Sequence, residues 1–291
     1  MSLLMTVPRG AVPPTQADGV RSARSAGGAR SGAAPTLLVA SGRGGAGATL
    51  LSALLAMSAA GEGRRVLLVD ADDFVGALAL TLGISPRGSW TDLRAGRAAP
   101  ADVATPVSAT LTLVAGGPPR LADAPRTAAP MSAAERKACM RRVSTLAEAM
   151  DLVVIDCGAR LDHVLGAVTP TGSERLMAVS AGSDPVGLAA TYALCKAVGL
   201  SRPALPVEVL VNRHEGSEAA RCFDAIDAGA RQFLGLTPRL AGAIPADPTL
   251  DAALRAGMPF PDAAAGSPAA TAAHHVVMRV LAERPLSRPG T

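Results

Sequence analysis

The sequence predicts an α/β protein built on a doubly wound, mostly parallel sheet flanked by helices. Three observations carry this: short apolar runs of strand length recur along the chain, stretches with helical spacing lie between most of them, and the material for a core is aliphatic. Hydrophobic residues make up 49% of the 291 residues, but aromatic ones only 2%, so Ala, Val and Leu must fill the interior. Such side chains suit helices packed on both faces of a parallel sheet.

The apolar runs are 36–40 (TLLVA), 66–70 (VLLVD), 111–114 (LTLV), 152–156 (LVVID), 176–180 (LMAVS) and 207–211 (VEVLV). Each has the length of a strand buried on both faces. Helical spacing fills 49–60, 132–149, 184–198 and 216–234, the last opening at Ser217. Alternation of this kind implies right-handed crossovers between parallel strands. Residues 84–108, with Pro86, Gly88, Gly96 and Pro100, break the alternation and are expected to form an excursion over the sheet edge. A final helix is expected over 274–284, stopped by Pro285.

Residues 1–34 form a separate arm, rich in Gly, Ala, Ser, Pro and Arg and without sustained periodicity, and are expected to be largely disordered. The arm holds Arg9, Arg21, Arg24 and Arg30 against Asp18, so +3 of the net +4 lies there and the domain over 35–284 is nearly neutral. Residues 285–291 form a tail. Cys139, Cys157, Cys195 and Cys222 are widely separated with no C-x-x-C pair, which argues against a zinc site or a disulfide framework and fits a reducing cytoplasm. The first residues lack the basic and apolar regions of a signal peptide, and no run reaches the roughly 18 apolar residues of a spanning helix. No helix-turn-helix is visible, so specific nucleic-acid binding is not expected.

In a doubly wound sheet, ligands bind beyond the C-terminal ends of the strands. The run 36–40 leads there into Ser41-Gly42-Arg43-Gly44-Gly45-Ala46-Gly47-Ala48-Thr49, with a helix following. Glycines permit a turn whose N–H groups point inward, and the helix N-terminus adds partial positive charge, the arrangement that holds phosphate. The phosphate-loop pattern G-x-x-x-x-G-K-[ST] is met at Gly42, Gly47 and Thr49, with Ala48 at the lysine position. Two further strands end in acids: Asp70, followed by Asp72 in D-A-D-D-F-V-G, and Asp156.

The loop S-G-R-G-G-A-G-A-T resembles the deviant phosphate loop S-G-K-G-G-x-G-K-T of the MinD, ParA and FlhG proteins. Within that family the segments 180–198 and 223–235, with Tyr192, Ala193, Leu194, Lys196 and Phe233-Leu234-Gly235, are most similar to FlhG. The resemblance, which covers about residues 36–283, implies an ATP and Mg2+ site. Gly42, Gly44, Gly45, Ala46, Gly47, Ala48, Thr49 and Leu50 would hold the phosphates. Asn212, Arg213, Pro245 and Asp247 would hold the base, the last two in an I-P-x-D loop. Thr49, Asp70 and Asp156 would lie at the metal, Asp72 would position the attacking water, and Gly76 would permit the switch loop. Arg43 stands for the lysine that reaches a partner's nucleotide in the family's dimer. Ala48 removes the lysine that holds the β and γ phosphates, so weak or absent hydrolysis is expected. Asp73 replaces the family's usual proline.

The arm segment Thr15-Gln16-Ala17-Asp18-Gly19-Val20-Arg21 resembles the D-Q-A-x-x-L-R segment with which FlhG proteins activate the GTPase FlhF, matching at Gln16, Ala17 and Arg21. The resemblance thus implies a cytoplasmic regulator of flagellar number or placement. A C-terminal amphipathic helix binds lipid in MinD and FlhG. The helix here is short and lacks large apolar anchors, so packing onto the domain is the expectation, with peripheral membrane contact as the alternative. Two other functional readings stay open at this point: an active MinD-like or ParA-like placement ATPase in which Arg43 or another cation replaces the lost lysine, and a nucleotide-free scaffold in flagellar or pilus assembly.

Overall fold

The structure is a computed structural model that describes residues 34–73, 75–117, 131–167 and 173–283. One eight-stranded sheet forms its centre, in the order β3-β4-β2-β5-β1-β6-β7-β8. The strands are β1 (Thr36–Ser41), β2 (Val66–Asp70), β3 (Thr105–Pro106), β4 (Leu111–Val114), β5 (Leu152–Gly158), β6 (Glu174–Ala181), β7 (Val207–Asn212) and β8 (Arg239–Ile244). Every pairing is parallel except that of β3 with β4.

The six expected strands all form, and their burial explains their legibility. All residues of β1, β2 and β6 are buried, because helices cover both faces. Alternate side chains feed two separate cores. Leu37, Val39, Val66, Leu68, Met177 and Val179 point into one; Leu38, Ala40, Leu67, Val69, Leu176 and Ala178 point into the other.

The first core is closed by α1 (Ala48–Gly61) and α11 (Pro268–Ala282). Helix α1 is apolar around most of its circumference, as a helix pressed between a sheet and a second helix must be. The second core is closed by α5 (Ala133–Ala147), α6 (Leu161–Gly166) and α7 (Pro185–Ser201), and α8 (Gly216–Leu234) packs against α7 and β7. The four cysteines are free and buried.

The excursion over 84–108 lies where it was expected, at the β4 edge. It comprises α3 (Trp90–Arg94), α4 (Pro100–Val103) and the antiparallel β3, and Ser89 makes a parallel bridge to Ala115. Before it, α2 (Ala77–Thr81) follows the loop after β2. On the other edge β8 leads into α9 (Pro248–Arg255) and α10 (Phe260–Ala264).

The final helix begins six residues earlier than expected and ends at Ala282. Ser267 caps it by accepting the Ala270 N–H at 3.1 Å, and Pro268 takes the first turn, where its missing N–H costs nothing. Its apolar stripe of Ala269, Ala273, Val276, Val277 and Val280 is buried in the first core against α1, the packing role expected of it. No helix among the described residues is long and apolar enough to cross a membrane.

Candidate nucleotide site

The C-terminal ends of β1, β2 and β5 bring the sequence-predicted loop and acids together. Ser41 ends β1 and its hydroxyl ties the loop on both sides, donating to Arg43 O at 2.9 Å and Gly158 O at 3.4 Å. Gly42 has no alternative: a Cβ there would stand 1.9 Å from Ala190 O on α7. Gly44 and Gly45 are exposed and open on their outer side, so the loop backbone faces solvent as a cradle. Gly47 O accepts the Leu51 N–H at 2.9 Å and starts α1, whose free N–H groups lie under the loop. Ala48 is buried at 5% exposure at the first position of that helix, and its carbonyl accepts Ser52 Oγ at 2.9 Å. Thr49 and Leu50 are half-buried beside it.

Asp70 and Asp156 are register partners on β2 and β5. Asp70 is 1% exposed and accepts two backbone N–H groups, from Asp72 at 3.0 Å and Leu78 at 3.0 Å, so it anchors both ends of the loop between β2 and α2. Burial, with the Asp156 charge facing it, pushes Asp70 up to about 8. Burial also raises Asp156, against hydrogen bonds from the Thr49 hydroxyl and the Gly158 N–H. Gly76 lets the loop close, because its φ of 63° is left-handed and a Cβ would meet Gly117 N at 2.3 Å.

Sequence reasoning missed the residues that hold this loop. Arg136 on α5, 2% exposed, donates to Ala71 O at 2.8 Å and to Asp73 Oδ1 at 2.9 Å, and Asp73 Oδ2 accepts the Met131 N–H at 2.9 Å. Burial opposes ionisation of Asp73, but the Met131 N–H and Arg136 hold its carboxyl below the usual carboxylate range. The acid that replaces the family proline is therefore matched by a buried arginine 63 residues away. The single tryptophan, Trp90, is fully buried and its indole N–H donates to Asp70 O.

A small cavity of about 90 Å³ opens here, lined by Thr49, Asp70, Asp72, Asp156, Gly158, Arg160 and His163 among others. The composition fits a magnesium nucleotide. Magnesium is normally held by one or two protein oxygens together with phosphates and water, and the Thr49–Asp156 hydroxyl–carboxylate pair supplies those oxygens. No three His, Cys, Asp or Glu side chains converge as a metal cage among the described residues. Asp70 has an N–H on each of its oxygens, which ties it to the loop as well.

The remaining predicted residues divide. Arg43 donates to Ala181 O at 3.0 Å and pairs with Asp184 at 3.0 Å, both on its own chain. Asp184 also caps α7 by accepting the Gly187 N–H, which with Arg43 holds its carboxyl low. Asn212 at the end of β7 donates to Ala46 O at 2.9 Å, bracing the phosphate loop from behind. Arg213 has a left-handed φ of 66° and pairs with Asp251 on α9. Pro245 is half-buried after β8, but Asp247 is buried and caps two helices, accepting the Leu250 N–H at 3.0 Å and the Ala269 N–H at 3.3 Å. Its carboxylate thus acts as a double cap. Gln16 and Arg21 lie outside the described residues.

Comparison with known proteins agrees with this fold. The CobQ/CobB/MinD/ParA nucleotide binding domain matches residues 37–260. The chain is 26% identical to antiactivator FleN of Pseudomonas aeruginosa over 222 residues, 75% of this chain and 76% of that one. Among solved structures it is similar to the septum site-determining protein MinD complexed with Mg-ADP from Pyrococcus horikoshii, with TM-score 0.65 and 22% identity over 85% of this chain and 96% of that chain. It is also similar to an ATP complex of McdA from Cyanothece, with TM-score 0.64 and 19% identity over 88% of this chain and all of that chain. With a phosphate loop between β1 and α1, acids ending β2 and β5, and a family match over most of its length, the chain belongs to the CobQ/CobB/MinD/ParA nucleotide-binding family.

Proposed function

We propose that this protein is a FlhG-like regulator of flagellar number or placement that works as a nucleotide-held binding switch, with slow or no ATP hydrolysis. The observation that carries the reading is Ala48, buried where the phosphate-holding lysine would stand, within a loop, a helix N-terminus and a Thr49–Asp156 pair that are otherwise assembled. Removing a cation from the transferring phosphoryl group takes away transition-state charge stabilisation while leaving the backbone cradle for binding. The similarity to antiactivator FleN supports a regulatory role, and the Mg-ADP and ATP complexes among its structural relatives support the choice of nucleotide.

In this reading ATP and Mg2+ favour a homodimer at the cytoplasmic face of the membrane, in which Arg43 leaves Asp184 and turns to the partner's nucleotide. The arm then delivers Gln16 and Arg21 to a FlhF-like GTPase. The experiment is GTP turnover by a purified FlhF-like GTPase with and without this protein, with Gln16→Ala and Arg21→Ala variants alongside. Stimulation that both variants lose supports the reading. No stimulation by the intact protein, or equal stimulation by the variants, removes the GTPase partner from it.

A further inference from the structure

The cavity beside the phosphate loop presents Asp70, Asp72 and Asp156 and, with Ala48, no loop lysine. A nucleoside triphosphate entering it with its magnesium would bring its terminal phosphate towards three acids, and without the loop lysine any side-chain cation or N–H donor to that phosphate comes from the rest of the wall. Two side chains of the segment after β5 line that wall, Arg160 and His163. Arg160 is the residue before α6 and His163 lies within its first turn.

Their present contacts leave them available. Among the described residues Arg160 is held by its near neighbour Asp162, through bonds of 3.1 and 2.9 Å, in a pair 58% and 46% exposed. Exposed pairs of this kind are weak, whereas a guanidinium fork binds phosphate oxygens at two points. Asp162 would not be stranded by the exchange, since Arg136 stands 3.9 Å from it. His163 is 2% exposed, and neither ring nitrogen has a hydrogen-bond partner among the described residues. Buried polar groups in native proteins are normally satisfied, and an N–H at a cavity wall is satisfied by what enters the cavity.

Resting on the nucleotide-switch reading, we propose that Arg160 and His163 replace the absent loop lysine by binding the terminal phosphate of a nucleoside triphosphate. Arg160 exchanges Asp162 for the phosphate, and His163 donates its ring N–H to an oxygen of the same group. Discrimination between triphosphate and diphosphate then resides on the β5–α6 segment and not in the phosphate loop.

The test is calorimetric binding of Mg-ATP and Mg-ADP to the full chain and to Arg160→Ala, Arg160→Lys, His163→Leu and the double variant Ala48→Lys/Arg160→Ala, with thermal melts confirming that each folds. Arg160→Ala is expected to weaken ATP about tenfold or more while leaving ADP within about threefold, the loss typical of a charged hydrogen bond. Arg160→Lys should recover part of this, and Ala48→Lys should rescue Arg160→Ala by restoring a cation at the family position. Should Arg160→Ala and His163→Leu both bind ATP like the parent, or lose ATP and ADP equally, the inference fails and the nucleotide switch stands. Should the parent bind no ATP at millimolar concentration, both fail. Because Arg160 is exposed, its variants decide the matter even if His163→Leu does not fold.

Discussion

Asp70 and Asp156 stand opposite one another at the C-terminal ends of neighbouring parallel strands, both buried, with one accepting two loop N–H groups and the other bound to the Thr49 hydroxyl. Two acids side by side in the interior disfavour each other's ionisation, and that couples the site to pH and to cations.

The first prediction follows from that pair. A carboxyl raised to about 8 stabilises the fold fully below its unfolded value near 4, and that contribution is lost as pH climbs through 8. Asp156 shifts in the same direction. His163 acts oppositely but only below about 6.5, because burial keeps it neutral while the unfolded imidazole takes up a proton there. The carboxylates held low, such as Asp73, change stability only nearer pH 4. Between pH 6.5 and 8 the melting midpoint should therefore fall as pH rises, and Asp70→Asn should flatten that slope. A midpoint that rises through this interval would contradict the assignment.

Arg136 carries the loop on which Asp72 sits. Arg136→Met should destabilise by about 3 kcal/mol in urea titration, since it removes the guanidinium from the Ala71 carbonyl and leaves the Asp73 carboxylate without its cation in a largely dry site. Asp73→Ala should also destabilise by leaving the guanidinium buried and unpaired. The two losses should be less than additive in the double variant, by about 1 kcal/mol or more.

Gly42 tests the packing of the phosphate loop on α7. Gly42→Ala drives a Cβ into the Ala190 carbonyl, and backbone must move to accept it. A loss of about 1–3 kcal/mol in stability is expected, together with weaker nucleotide binding, whereas Gly44→Ala, with open space around it, should leave stability nearly unchanged.

Ala48→Lys returns the family's cation to the start of α1. It is expected to tighten Mg-ATP by about tenfold, the worth of one charged hydrogen bond, as calorimetry would measure. Unchanged affinity would mean that the loop has departed from the family at more than this one position.

What the sequence made legible was whatever one segment determines by itself. Strands such as Leu37–Ala40 and Val66–Val69 announce themselves because both faces are buried, and the phosphate loop and its acids because their spacing is local. Strand β8 did not, since an edge strand reading Arg-Leu-Ala-Gly-Ala-Ile needs only one buried face and carries exposed residues at its start. The helices of four to eight residues, α2, α3, α4, α6, α9 and α10, are too short to display a period. At the site, Arg136 and Trp90 were invisible because their partners lie far away in sequence, and His163 because only the fold brings it to the cavity wall. The capping role of Asp247 was hidden for a related reason: a resemblance identifies a loop, whereas the second helix it caps begins some twenty residues later.

The most direct test of the central claim is calorimetry of Mg-ATP and Mg-ADP with the purified protein, with phosphate release measured on the same sample. A nucleotide-held switch predicts micromolar ATP binding with phosphate release that is slow or absent. Turnover at rates ordinary for enzymes, at about 1 per second or more, or no binding at millimolar ATP, would contradict it.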